Sequence, residues 1–410
     1  MIVKDLKTIR AVVSSLFVLL YLAACGGGGG GGGKSDQRSD NTAQTTSVTF
    51  AKILGGDEDD WGSAVIQTAE DDYIIVGTTD VNPDEKEIDY EIYLIKLDAN
   101  GNEVWKKTFG GSGNDTGESV YQTSDGGFII AGSTTSFGSG QNVYLVKTDK
   151  DGNKEWESSE GRLADEEGQS VRQTVPDGGY VVVGSTNSFA SGEDVYLLKT
   201  DMSGKREWDQ HYGGSSNEWG NSVIQTSDGN FLIAASGEGV NDMYIIKVNA
   251  SVPDEGSVLW QQSLGGTGYY YGNSVEQTSD GGYIITGDAS IDGSNYDISL
   301  IKTKEDGSKI WEKTFGGTAD PDHGYDVHQT TDGGFIITGV FANKDVYLIK
   351  TNENGEVIWS KTFDWMYEDF GFSVCETKDN GYIITGSTYN GSDDDLLIIK
   401  TDKFGNVNTK

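Results

Sequence analysis

Short apolar runs separated by turn-forming residues recur along almost the whole chain. Between Glu118 and Gly161, Ser119-Val120-Tyr121-Gln122-Thr123 leads into Ser124-Asp125-Gly126-Gly127 and then Phe128-Ile129-Ile130-Ala131-Gly132. A polar segment, Ser133 to Asn142, precedes Val143-Tyr144-Leu145-Val146-Lys147-Thr148, and Asp149-Lys150-Asp151-Gly152-Asn153 precedes Trp156. Asp-Gly and Asn-Gly pairs supply the positive φ of tight hairpin turns. The pattern predicts four strands of roughly five residues each, joined as an antiparallel meander with no room for a helix. The strand centres are apolar on both faces (Tyr283-Ile284-Ile285, Phe335-Ile336-Ile337, Leu397-Ile398-Ile399). Such runs belong to strands covered on both sides.

This unit repeats. Val65, Val120, Val171, Val223, Val275, Val327 and Val374 open matching tetrapeptides at steps of 55, 51, 52, 52, 52 and 47 residues. A fixed period of this size marks a stacked or circular repeat architecture. The first and last copies resemble the interior ones, so there is no capping repeat of the kind an open solenoid needs. The chain ends on a third strand, Leu397 to Lys400, with no Trp segment after it. Its ordered part begins with Phe50-Ala51-Lys52-Ile53-Leu54-Gly55-Gly56, the counterpart of Trp105-Lys106-Lys107-Thr108-Phe109-Gly110-Gly111. The N-terminal strand therefore completes the last unit and removes an open sheet edge. The expected fold is an all-β, seven-bladed β-propeller of four-stranded antiparallel blades spanning 48–410.

The run from Tyr144 to Trp156 resembles the repeat of bacterial β-propeller repeat families and the tryptophan-docking repeat of quinoprotein-like propellers. The likeness extends over residues 48 to 406. Those families include dehydrogenases, scaffolds and proteins of unassigned role, so it implies architecture. Quinoprotein enzymes hold their cofactor against an adjacent Cys-Cys pair, and this chain has none. Thr123-Ser124-Asp125-Gly126-Gly127-Phe128 is similar to the Asp-box turn of sialidases, which clamp a carboxylate with three arginines. Here Arg162, Arg172 and Arg206 are confined to neighbouring repeats, and sialidase chemistry is not expected.

Ahead of the repeats, Lys4, Lys7 and Arg10 precede an apolar run, Ala11 to Leu22, too short for a mature membrane span. Leu22-Ala23-Ala24-Cys25 resembles the lipobox of bacterial lipoproteins. That resemblance implies a signal peptide over 1–24 and acylation of Cys25 as the mature N-terminus. Residues 25–47, with glycine from Gly26 to Gly33, read as a flexible tether whose r.m.s. span is roughly 25 Å for about 20 residues. Gly26, rather than Asp, follows the cysteine, which by the lipoprotein-sorting rule favours an outer-membrane anchor, with the domain facing the periplasm or the exterior. After residues 1–24 are removed, 27 basic and 64 acidic residues leave a net charge of −37. Such a surface excludes nucleic acid and anionic headgroups as partners, leaving the lipid as the membrane contact. Cys375 is the propeller's single cysteine, so it has no disulfide partner within the propeller; it reads as a core residue of a first strand.

Features copied into every repeat serve the ring, whereas a functional centre should break its symmetry. Trp105, Trp156, Trp208, Trp260, Trp311 and Trp359 share one position with Phe50 and read as blade packing. Gln67, Gln122, Gln173, Gln225, Gln277 and Gln329 read as inter-blade hydrogen bonds. Alternating carboxylates at Asp149 and Asp151 are a possible calcium loop, but turn chemistry accounts for them equally well, so neither metal nor cofactor is expected. His211, His323 and His328 are too scattered for a metal cluster, and His328 reads as a core or channel histidine. No protease, zinc, phosphate-loop or nucleophile-elbow motif occurs, and no catalytic residue is assigned.

The asymmetric positions lie before each first strand. Asp60, Asp115, Glu166, Glu218, Tyr270, Asp322 and Asp369 are acidic in six of seven copies and read as architectural. The next position holds Trp61, Thr116, Glu167, Trp219, Tyr271, His323 and Phe370, of which five are aromatic or histidine. Trp61, Trp219, Tyr271, His323, Phe370 and Glu167, with Trp365 from a longer inter-blade loop, form the candidate rim of a central channel. Aromatic rings beside carboxylates suit sugars or a cationic side chain. The expected function is a monomeric, non-enzymatic propeller that binds a protein or glycan through the face carrying its long loops. One alternative is a polysaccharide-acting enzyme using loop acids such as Asp369 with Glu368 or Asp322. The other is an envelope-assembly scaffold, by analogy with the propeller lipoprotein of the outer-membrane β-barrel assembly machinery.

Overall fold

The computed structural model describes residues 47–407, except 57, 83–87, 163, 191, 238–242, 252–256, 291–294 and 318–319. The signal segment, Cys25 and the glycine tether lie outside the described residues. Seven four-stranded antiparallel sheets make up the molecule, and the described residues contain no helix. Blades 1 to 6 take their strands in sequence order across 60–109, 115–160, 166–212, 218–263, 269–315 and 323–363. Blade 7 combines three strands within 368–401 with the N-terminal strand Phe50–Leu54. Phe50 pairs with Lys400 and Leu54 with Leu396, which is the closure the two chain ends predict. Each first strand touches the first strands of both neighbours, and that of blade 7 touches that of blade 1. The first strands therefore surround a central axis.

Second and third strands are buried along their centres, and over their whole length in Phe128–Thr134 and Asn142–Thr148. Fourth strands alternate exposed and covered positions, as in Glu103–Phe109. Cys375 is 2 % exposed in the core that blades 7 and 1 share; the other cysteine of the chain is Cys25.

The repeated side chains weld blade to blade. Trp105 lies against Gly152 of the next blade, where a Cβ would come within 2.7 Å of the ring, and that glycine also has a φ of +76°. Phe50 covers Gly101 in the same way and meets Tyr73, so it does take the seventh tryptophan position. The recurring glutamines accept turn amides from the preceding blade: Ser124 donates to Gln173, Ser227 to Gln277 and Ser279 to Gln329 at 2.7–2.8 Å. Lys378 of blade 7 donates to Gln67 of blade 1 at 2.8 Å, so this series also crosses the closure.

One repeated device emerges only in three dimensions. A third-strand lysine in every blade (Lys96, Lys147, Lys199, Lys247, Lys302, Lys350, Lys400) pairs with the turn aspartate of the first hairpin at 2.8–3.2 Å. Burial opposes ionisation of Asp280 and Asp379, but hydrogen bonds from turn hydroxyls and the lysine outweigh it and hold both carboxyls down at about 2. The Asp-box-like turn is thus a repeated anchor for a buried cation.

Candidate functional site

The first strands begin earlier than the hydrophobic pattern indicates. In blade 2 the strand is Asp115–Gln122 rather than starting at Ser119. A β-bulge after the glycine interrupts the alternation, and it recurs in all seven blades, between Gly62 and Ala64 through Gly371 and Ser373. Gly132 sits opposite the bulge of blade 2, and a Cβ there would come within 1.8 Å of the Thr116 carbonyl oxygen. Bulges re-aim side chains. Here the extra residues are Ser63, Glu118, Gln169, Asn221, Asn273, Tyr325 and Phe372. Trp61, Thr116, Glu167, Trp219, Tyr271, His323 and Phe370 lie in the strands, two residues before them, and all seven are half-buried.

These two tiers divide the channel mouth into unlike halves. Blades 5, 6, 7 and 1 contribute rings. Tyr271 lies 5.8 Å from Tyr296, which stacks on His323 at 5.8 Å. His323 stacks on Tyr325 at 6.2 Å, Tyr325 meets Phe372 edge-on at 5.6 Å, and Phe372 stacks on Phe370. Trp61 and Phe370 pack on the cluster of Tyr325, Val340 and Phe372, and Trp61 also meets Tyr90 edge-on at 5.2 Å. His323 Nδ1 stands 3.0 Å from the Asp288 carboxylate; burial opposes its charge, but Asp288 prevails and raises the imidazole pKa.

Blades 2, 3 and 4 contribute carboxylates and amides, with Trp219 of blade 4 as the ring among their rim residues. Glu118 is 3 % exposed, and burial pushes its carboxyl up to about 8, with repulsion from Glu167 adding to the rise and hydrogen bonds with Thr116 and Ser63 restraining it. Burial and repulsion from Glu193 push Glu167 up to about 7, although Gln141 donates to its Oε1 at 3.2 Å. The Trp219 indole N–H donates to Glu193. Glu118 Oε2 and Gln169 Oε1 are buried without a hydrogen-bond donor. Asn221 and Asn273, by contrast, each donate to the bulge glycine of the following blade at 2.8 Å.

Further along the first strands, toward the tight-turn face, runs a hydrogen-bonded girdle. Ser119, Ser170, Ser222 and Ser373 accept the valine amide of the following blade at 3.2–3.4 Å. Blade 6 has Asp326 at the serine position. Its carboxylate accepts the Ser274 and Ser373 hydroxyls and the Val327 and Val374 amides at 2.9–3.2 Å. His328 lies 3.3 Å from Asp326 and 3.6 Å from Glu276; burial opposes its charge, but these carboxylates raise its pKa to about 10. It is the paired channel histidine its strand position suggests. The Arg172 guanidinium donates to the Val171 carbonyl at 2.5 Å, lies 5.7 Å from the centre of the Tyr121 ring, and is drawn electrostatically toward Asp326 and Glu276.

The remaining expectations sort themselves around this channel. The outer acidic position is architectural, since Asp60, Asp115, Glu166, Glu218, Asp322 and Asp369 each accept a loop amide at 2.6–3.1 Å. Asp322 and Asp369 are fully buried there. Trp365 packs on the cluster between blades 6 and 7, apart from the ring series. Arg162 forks onto Asp209, with Arg206 3.6 Å from the same carboxylate on an outer strand, whereas Arg172 lies in the channel, so the three arginines do not converge. Asp149 accepts the amides of Asp151 and Asn153 and the Asn153 side chain, all within its own turn.

Sequence reasoning missed the bulge tier (Glu118, Gln169, Tyr325 and Phe372) and the Asp326 cluster. The available signal was variation between repeats at the position after the bulge glycine. No protein-family model matches this chain, and no curated protein does. Among solved structures it is similar to Sqt1 from Chaetomium thermophilum, at 12 % identity over 82 % of each chain with a TM-score of 0.48. Neither value is high enough to bear on function.

Proposed function

We propose that this chain is a binding propeller of the bacterial cell envelope, tethered through an acylated Cys25. Its partner, a protein, is held at the channel mouth on the face where the first strands begin. The observation that carries the reading is where the symmetry breaks. Tryptophan, glutamine, lysine and turn aspartate repeat from blade to blade, while no two blades carry the same pair of residues at the rim and bulge positions. A ring needs no such variety to stand, whereas a binding surface on a rigid scaffold does. The propeller scaffold is compatible with protein binding, and half-buried rings beside carboxylates supply anchors of the kind found at protein interfaces.

The test is affinity capture from detergent-solubilised envelopes, using the mature chain beside a variant with Trp61, Trp219 and Tyr271 all changed to Ala. A specific partner retained by the parent and lost by a folded variant supports the assigned mouth. Equal retention by both overturns it. Mass spectrometry of the mature N-terminus tests the tether: a diacylated or triacylated Cys25 is expected, and an unmodified N-terminus elsewhere refutes the anchor.

A further inference from the structure

The deep channel already contains a guanidinium. Arg172 sits beside the Tyr121 ring and is drawn to the carboxylates of Asp326 and Glu276. One tier nearer the mouth, blades 2 and 3 repeat those surroundings without a cation. Glu118, Glu167 and Glu193 crowd together, with Trp61 and Trp219 at the rim position of the flanking blades 1 and 4. Glu118 Oε2 and Gln169 Oε1 belong to side chains only 3 % exposed, and both lack a donor. Buried acceptors without donors are costly, and the cost is recovered when a ligand supplies the missing hydrogens.

From this we infer that the Glu118–Glu167–Glu193 arc is a subsite for a guanidinium group, an arginine side chain carried by the protein partner. The inference rests on the protein-binding reading above and names the chemistry recognised at its mouth. A guanidinium presents five donors in a planar fork and stacks on aromatic faces. It would supply both orphaned acceptors and screen the repulsion that Glu167 feels from Glu193. A sugar hydroxyl could supply hydrogens but would leave that repulsion untouched. Because the crowded carboxyls hold protons near neutrality when the site is empty, entry of the cation should expel them. Binding is therefore expected to release protons and to strengthen as pH rises from 6 to 9.

The experiment is calorimetric titration of the mature chain with N-acetyl-arginine methylamide, and with its uncharged isostere N-acetyl-citrulline methylamide. Each is run in two buffers of different ionisation enthalpy. The arginine compound should bind about tenfold or more tightly than the citrulline compound, with proton release. Glu118→Gln and Glu167→Gln should each weaken it by about tenfold while leaving the thermal transition no lower than the parent's. Equal binding of the two compounds, unchanged affinity in both Gln variants, or no arginine signal overturns the subsite. Captured partner separates this outcome from failure of the broader reading. A partner lost by the Trp61, Trp219 and Tyr271 variant but kept by both Gln variants sinks the guanidinium subsite alone. A partner kept by all of them sinks the mouth itself.

Discussion

Blades 5, 6, 7 and 1 close their side of the channel mouth chiefly with rings, and blades 2, 3 and 4 close theirs chiefly with carboxylates and amides, with Trp219 on the one side and the bulge residues Asn273 and Ser63 on the other as exceptions. The backbone beneath both halves is the same: one glycine, one bulge, one extra residue. On the ring side the bulge residues Tyr325 and Phe372 satisfy each other through contact. On the other side Glu118 and Gln169 retain unmet hydrogen-bonding capacity. Identical scaffolding therefore yields a half closed by ring contacts, in which the Trp61 indole N–H has no acceptor, and a half in which buried carboxylate and amide oxygens have no donor. Stability should reside in the first and ligand sensitivity in the second.

The strongest way to break this contrast is to empty the ring side. Phe372 is 2 % exposed between Tyr325 and Phe370. Phe372→Ala should cost about 3–4 kcal/mol in urea denaturation, as deletion of a buried aromatic ring does. A loss below ~1 kcal/mol would mean the rings are a pliable surface rather than a core.

Next comes the girdle beneath both halves. Asp326→Asn removes the charge that His328 faces and weakens four accepted hydrogen bonds, so a cost of ~2–3 kcal/mol is expected at pH 7. The sign with pH follows from the histidine. Its pKa rises from 6.5 to about 10 on folding. The pair's contribution is therefore complete below pH 6.5 and fades as pH climbs through about 10. The stability gap between parent and variant should narrow over that window, and a gap constant from pH 6 to 10 would refute a charged His328.

How far the sequence discloses this contrast depends on whether a residue repeats. Trp105 and its equivalents, Gln173 and its equivalents and the Phe50 strand are legible because each recurs at a fixed offset and serves a contact made in every blade. The outer acids are legible for the same reason. Glu118 is hidden because its bulge interrupts strand alternation, so the strand appears to begin one residue after it. The half-and-half division was beyond reach for a different reason: it depends on which blades become neighbours across a closed ring. Trp365 shows the converse error. Its inter-blade loop position resembles the rim, but the residue sits four before the acid that caps the loop, and its ring turns into the seam between blades 6 and 7.

The carboxylate side should respond in the opposite direction to the ring side. Glu118 titrates at about 8 in the folded chain, above its ordinary value of 4.5. The folded state then holds the proton more tightly, so the penalty is absent below about pH 4.5 and complete above about pH 8. Glu118→Gln keeps the shape and removes the charge. It should leave stability unchanged at pH 4 and raise it by ~2 kcal/mol at pH 9, the direction expected when the deleted charge is buried and its hydrogen bonds with Thr116 and Ser63 do not offset that burial. Destabilisation at pH 9 would show that the Thr116 and Ser63 hydroxyls already offset the burial of the carboxylate and that this half is as complete as the other.

The smallest effect resolves how the carboxylates share what donors they have. Gln141 donates to Glu167 Oε1 at 3.2 Å, and Gln169 also hydrogen-bonds this carboxyl. Burial and repulsion from Glu193 lift Glu167 to about 7, and the amide restrains that rise. A neutral hydrogen bond contributes ~0.5–1.5 kcal/mol, and ~1.4 kcal/mol corresponds to one pKa unit. Gln141→Ala should therefore move the Glu167 titration upward by roughly half a unit to one unit, followed through its side-chain carboxyl carbon by NMR. Because Gln141 does not touch the rings, the Tyr325 and Phe372 resonances should stay in place. An unmoved Glu167 would mean that the protons on this half are governed by burial alone. Movement on both sides of the mouth would mean that the two halves form one coupled surface.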